Sequence, residues 1–127
     1  MHVNEISGAI VDAAVRIHSE VGPGLLESVY EVLLAHELKE LGFEIERQLP
    51  VPIQYKGIRF EEGYRLDLLV NNLVVVEIKS IEEVLAVHKK QLLTYLRLKQ
   101  KPLGLLLNFN VDLMKDGITR IANQLEE

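Results

Sequence analysis

The chain contains no cysteine, which excludes disulfides, thiolate zinc sites, cysteine-ligated iron–sulfur clusters and cysteine nucleophiles. Any metal must be held by oxygen or imidazole. No apolar run approaches the roughly 20 residues needed to span a bilayer, so no membrane partner is expected. Met1 to Ile10 has neither a basic start nor an apolar signal core, and a cytoplasmic location is the resulting expectation. There is no internal repeat or low-complexity tract, and a composition 48% hydrophobic and 26% charged argues against long disorder. The 127 residues fit one domain, residues 1–127, able to bury roughly two-thirds of its unfolded surface.

Positive charge is also scarce overall. A net charge of −5 argues against a uniformly basic surface that coats nucleic acid. The distribution is uneven, however. Val84 to Val111 carries Lys89, Lys90, Arg97, Lys99 and Lys101 and no acid, which leaves nine of the 14 basic residues against all 19 acids elsewhere, or −10 for the rest of the chain.

Ile6, Ile10, Ala13, Ala14, Ile17 and Val21 recur at three- and four-residue steps, which predicts a helix over Asn4 to Val21. Gly22-Pro23-Gly24 stops it. A second helix is predicted from Leu25 to Leu41, with Leu26, Val29, Tyr30, Leu33, Leu34, Leu38 and Leu41 apolar and Gly42 at its end. Phe43 to Leu49 alternates with period two, as a half-buried strand does. Val51 to Tyr55 and Ile58 to Phe60 flank a Lys56-Gly57 turn, and Pro50 and Pro52 confine this part to a sheet edge. Tyr64 to Val70 and Leu73 to Ser80 carry the densest β signal, with Asn71-Asn72 between them. From Ile81 to Lys99 the pattern is helical. Leu103 to Phe109 then reads as a buried parallel strand, and a last helix is predicted over Lys115 to Leu125. The fold class is therefore α/β in the mixed α+β sense, a mixed sheet flanked by helices.

Two charged residues interrupt Val74-Val75-Val76-Glu77-Ile78-Lys79, and strand geometry puts Glu77 and Lys79 on one face. Asp67 interrupts Tyr64 to Val70 in the same way. With Asn71-Asn72 as a two-residue loop, Asp67 and Glu77 would lie on opposite faces. The sets Leu66, Leu68, Val70 and Val74, Val76, Ile78 share a face only if Val70 pairs with Val74, which sets Asp67 opposite Glu77 and implies a three-residue loop or a bulge. Two carboxylates and an ammonium there suit a hard divalent cation, Mg²⁺ or Mn²⁺, with the Ile78 carbonyl as a further oxygen donor. Such a cation polarises a phosphoryl oxygen and acidifies water, while Lys79 can stabilise charge building on phosphorus. On the basic helix, His88, Gln91, Leu92 and Tyr95 share one face and Lys90, Arg97 and Lys101 form another stripe suited to a phosphate backbone. The four histidines form no metal pair at helical spacing and read as structural.

Gly24-Leu25-Leu26-Glu27-Ser28-Val29-Tyr30 resembles the signature of the GxxExxY proteins, a small-protein family assigned to the PD-(D/E)XK nuclease superfamily. Asp67 followed by Glu77-Ile78-Lys79 resembles that superfamily's core motif, and Gln91 the glutamine often found on its following helix. The resemblance runs from about Asn4 to Ala122. It implies a restriction-endonuclease-like core, Asp67, Glu77 and Glu27 as metal ligands, Lys79 as the catalytic lysine and Gln91 as a positioning residue. With the site chemistry and the basic helix read above, the expected cofactor is Mg²⁺ or Mn²⁺ and the expected partner nucleic acid, DNA first, with Lys89, Lys90, Arg97 and Lys101 as phosphate contacts. A homodimer is left open. Two functions follow: a metal-dependent nuclease, or a non-catalytic nucleic-acid or protein-binding module that keeps the fold.

Overall fold

The computed structural model describes residues 2–124. Helix α1, Val3–Val21, buries Ile6, Ile10, Ala13, Ala14 and Ile17 along one stripe and stops at Gly22, whose φ of 74° suits glycine. Helix α2, Glu27–Glu40, buries Tyr30, Glu31, Leu34, Ala35 and Leu38. Leu26, Val29 and Leu41 of the predicted apolar set are exposed instead.

The four predicted β segments between Phe43 and Val70 form two long strands, β1 (Ile45–Tyr55) and β2 (Ile58–Val70), joined at Lys56-Gly57. Strand β3 (Val74–Lys79), helix α3 (Ala86–Lys99) and strand β4 (Leu103–Asn108) follow. Five strands form one sheet in the order β1-β2-β3-β4-β5, antiparallel except for the parallel β3–β4 pair. With β1 at its edge, Pro50 and Pro52 leave no interior ladder short of a donor. Helices α1 and α2 cover one face and α3 the other, giving two clusters of buried side chains. This is the mixed α+β, restriction-endonuclease-like architecture.

Two boundaries differ from expectation. Helix α3 begins at Ala86 and not at Ile81, because the Asn108 side-chain amide takes both the N–H and the carbonyl of Ile81, at 3.1 and 2.9 Å. Those groups are lost to any helix. The predicted last helix is a 3₁₀ turn, Met114–Gly117, followed by β5, Ile118–Ala122, while Leu125 lies outside the described residues. Strand β4 is buried along its whole length, so its outer backbone groups must be paired, and β5 supplies the partners from Ile118 to Ala122. Tertiary pairing outweighs the weak helical pattern.

Strands β2 and β3 pair Val70 with Val74 across a three-residue turn. One member of the predicted apolar face moves. Leu68 and Val70 pack under α1 and α2 with Val74, Val76 and Ile78, but Leu66 joins Leu69 and Val75 on the α3 side. Strand β1 changes sides at the same level, since Ile45 packs with α1 and α2 whereas Leu49 and Val51 pack towards α3. The reversal falls at Gln48 and Asp67. Gln48 has φ 51°, and the β1–β2 register passes from Arg47↔Leu68 to Leu49↔Leu66 around them. A non-glycine residue held in that left-handed region costs on the order of 1–3 kcal/mol.

Candidate active site

Pairing of Asp67 lapses on both sides, because the β2–β3 ladder also ends at Leu68↔Val76. Side chains replace the missing backbone bonds. The Asp67 carboxylate accepts the Ile78 N–H at 2.8 Å, and Glu77 accepts the Asp67 N–H at 3.4 Å. Two carboxylates thus meet where the strands part. Asp67 lines a cavity of about 400 Å³ with Glu27, Ser28, Glu31, Arg47 and Gln48. Glu77 is only 5% exposed.

Burial first, and the Asp67 charge second, push the Glu77 carboxyl up to about 8, against the lowering pull of Tyr64, the Asp67 N–H and Lys79. Asp67 is also raised, by burial and by the charge of Glu31, and is held back by the Ile78 N–H, Lys79 and Gln48. Tyr64 stacks on Tyr95 with planes 13° apart. Burial and the neighbouring Glu77 raise the Tyr64 phenol far above its ordinary value, so it stays a neutral donor.

Glu27 stands in the first turn of α2 and accepts the Ser80 N–H at 3.2 Å, which brings it to the end of β3 next to Lys79. Tyr30 sets that turn. Its hydroxyl donates to the Gly22 carbonyl at 2.7 Å and accepts from the Leu25 N–H at 3.1 Å, while its ring stacks on Phe109. Tyr30 thus clamps the α1–α2 loop, from Gly22 to Leu25, that leads into Glu27.

The structure places Glu27, Asp67, Glu77, Ile78 and Lys79 around the carboxyl end of β3: Asp67 is linked to Glu77 and Ile78 by hydrogen bonds and shares its cavity with Glu27, while Glu77 does not line that cavity. It does not bring all of the basic set there. Helix α3 starts at this end and runs over on the order of 20 Å, with Lys89 and Lys90 in its first half and Arg97 in its last turn, while Tyr95 stacks on Tyr64, which backs Glu77. Lys101 falls beyond the helix, whose C-cap is Gln100, and bonds Asn72 at 3.0 Å at the opposite end of β3. Gln91 is exposed and makes no side-chain hydrogen bond among the described residues. His18 bonds the Val111 carbonyl at 2.7 Å, and His88 accepts the Leu85 N–H at 2.8 Å to cap α3.

Three neighbours of the carboxylates lie outside the predicted set. Glu31 is buried and paired with Arg47 at 2.9 Å, Gln48 links Glu31 to Asp67, and Tyr64 backs Glu77. An acid one turn after Glu27, among Tyr30 and Leu34, was a readable signal for Glu31. Gln48 had none.

Among the described residues no three acidic or histidine side chains form a complete cation cage. The donor set still fits a hard divalent ion, which typically uses one or two carboxylates together with water and substrate oxygens. The raised acids point the same way, since a nearby cation relieves their mutual repulsion. A mixed sheet flanked by helices, parted at an Asp, Glu and Lys, defines the restriction-endonuclease-like class. The family model of the PD-(D/E)XK nuclease superfamily matches residues 4–121, and the chain belongs to that superfamily. Neither curated proteins nor solved structures gave a match. Nucleases of this superfamily use divalent metal ions. Among the described residues no helix is long and apolar enough to cross a membrane.

Proposed function

We infer that the protein is a Mg²⁺- or Mn²⁺-dependent nuclease of the GxxExxY group, a single domain that hydrolyses phosphodiester bonds of DNA in the cytoplasm. The observation that supports this most is the meeting of Asp67 and Glu77 beside Lys79 where the β2–β3 ladder stops. A solvated charge ladder would not bury Glu77 to 5% exposure. Asp67 and Glu77 would hold the cation, with Glu27 beside it and the Ile78 carbonyl as a further donor. The bound ion supplies polarisation of the phosphoryl oxygen and acidifies water.

The remaining steps belong to the chain. Lys79 stabilises the charge that builds on the non-bridging oxygens as water adds to phosphorus and the ester P–O bond breaks. Lys89 and Lys90, near the start of α3, contact the backbone phosphates on either side. A second reading, a binding module without chemistry, draws on the exposed Gln91 and on an Asp67 oxygen already taken by Ile78. Incubating the purified protein with duplex DNA, single-stranded DNA and RNA, with Mg²⁺, Mn²⁺ or chelator, decides between them. Metal-dependent cutting supports the nuclease. Tight binding without cutting in either metal supports the module.

A further inference from the structure

Five non-glycine residues among those described have positive φ. Four lie at ends or turns: Lys56 between β1 and β2, Asn71 and Asn72 between β2 and β3, and Gln100 at the C-cap of α3. The fifth, Gln48, lies inside strand β1. Where only the backbone matters, such a position selects glycine or asparagine. What glutamine adds is a long amide.

That amide has two partners. Its nitrogen donates to one Glu31 oxygen and reaches Asp67 Oδ1 at 3.4 Å. The other Glu31 oxygen accepts from Arg47 Nε at 3.1 Å and Nη2 at 2.9 Å, so the buried carboxylate is held on both sides and orients the amide in turn. The second Asp67 oxygen is held by the Ile78 N–H. Arg47, Glu31, Gln48 and Asp67 form one ordered chain that ends on the carboxylate at the strand parting.

We propose that Gln48 is a positioning residue: its amide, oriented by the Glu31–Arg47 pair, sets the Asp67 carboxylate in the orientation that receives the divalent cation. The proposal rests on the nuclease reading for its chemistry, but not for its metal. Outer residues that orient metal-binding carboxylates typically matter by about 10- to 100-fold in affinity or rate. The left-handed backbone of Gln48 serves this end as well, because it turns β1 over at the level of Asp67.

Gln48→Gly is the informative variant, since glycine adopts a φ of 51° without strain and loses only the amide. Mn²⁺ affinity by calorimetry without nucleic acid, thermal melting in chelator, and kcat and KM for cleavage are measured on wild type and variant. The variant should melt close to wild type, bind Mn²⁺ about tenfold more weakly and cut about tenfold more slowly at unchanged KM. Gln48→Asn keeps the backbone but shortens the amide by one methylene, and it should behave like the glycine variant. Equal Mn²⁺ affinity and equal rate in a folded variant overturn the proposal, as does a loss that only follows the unfolded fraction. If wild type binds Mn²⁺ but cuts nothing, the nuclease reading fails and the affinity comparison alone judges Gln48. If wild type binds no Mn²⁺, both fail.

Discussion

Asp67 and Glu77 are joined across the parting of β2 and β3 by the Asp67 N–H, which donates to the Glu77 carboxylate at 3.4 Å, while Asp67 itself accepts the next N–H along, that of Ile78. Each acid therefore holds the other's strand in place of a backbone ladder bond. The arrangement is costly without a cation, because Glu77 is buried beside a second acid.

The cost has a pH signature. An acid whose folded pKa lies above its ordinary value binds its proton more tightly in the folded state, so folding loses stability as pH rises from about the ordinary 4.5 towards about 8. Below that window the group is protonated in both states, and above it no further loss accrues. Glu77→Gln should match wild type near pH 4 and melt higher than wild type at pH 9, in chelator. Melting curves across pH check this. A difference that does not change with pH would assign Glu77 no raised pKa.

Metal binding should reverse the effect. Mg²⁺ or Mn²⁺ should raise the melting temperature of wild type by mass action on the native state, and Asp67→Asn should abolish the rise. At pH 7, below the raised value of Glu77, binding should also release close to one proton. Calorimetry in two buffers of different ionisation heat measures that proton. An equal thermal shift in wild type and mutant would point to general salt effects.

The register of the central hairpin was legible because two apolar triplets can share a face in only one way, and Val70↔Val74 is the pairing found. Glu77 and Lys79 stood out against Val74, Val75, Val76 and Ile78 for the same reason. The reversal of faces at Gln48 and Asp67 was not legible, since no residue type announces a left-handed glutamine inside a strand. Leu66 was misplaced in consequence. Strand β5 was missed because its partner, the outer edge of β4, exists only once the sheet has formed. The lysine stripe was misread because helix spacing was carried past Gln100, where the chain turns left-handed.

Tyr30→Phe isolates the clamp on the α1–α2 loop. It removes the hydroxyl that bonds the Gly22 carbonyl and the Leu25 N–H but keeps the ring stacked on Phe109. Stability should fall by about 1–3 kcal/mol, the usual effect of leaving such partners unpaired. Cleavage should fall too, because Glu27 shifts. Denaturant melts and rates measured well below the transition separate the two effects.

The basic residues should divide by position. Lys89 and Lys90 lie near the site end of α3, so replacing both with alanine should weaken nucleic-acid binding and flatten its salt dependence by up to about two units. Lys101 bonds Asn72 at the far end of β3, and Lys101→Ala should leave both unchanged. Binding titrations at several salt concentrations check the contrast.

Lys79→Ala tests the central claim most directly, because it removes an ammonium whose charge acts on both Asp67 and Glu77. Single-turnover cleavage and binding affinity are measured side by side for wild type and variant in Mg²⁺. A group used mainly in the transition state predicts a fall in rate of on the order of a hundredfold or more with affinity little changed. A variant that cuts as fast as wild type would place the chemistry elsewhere.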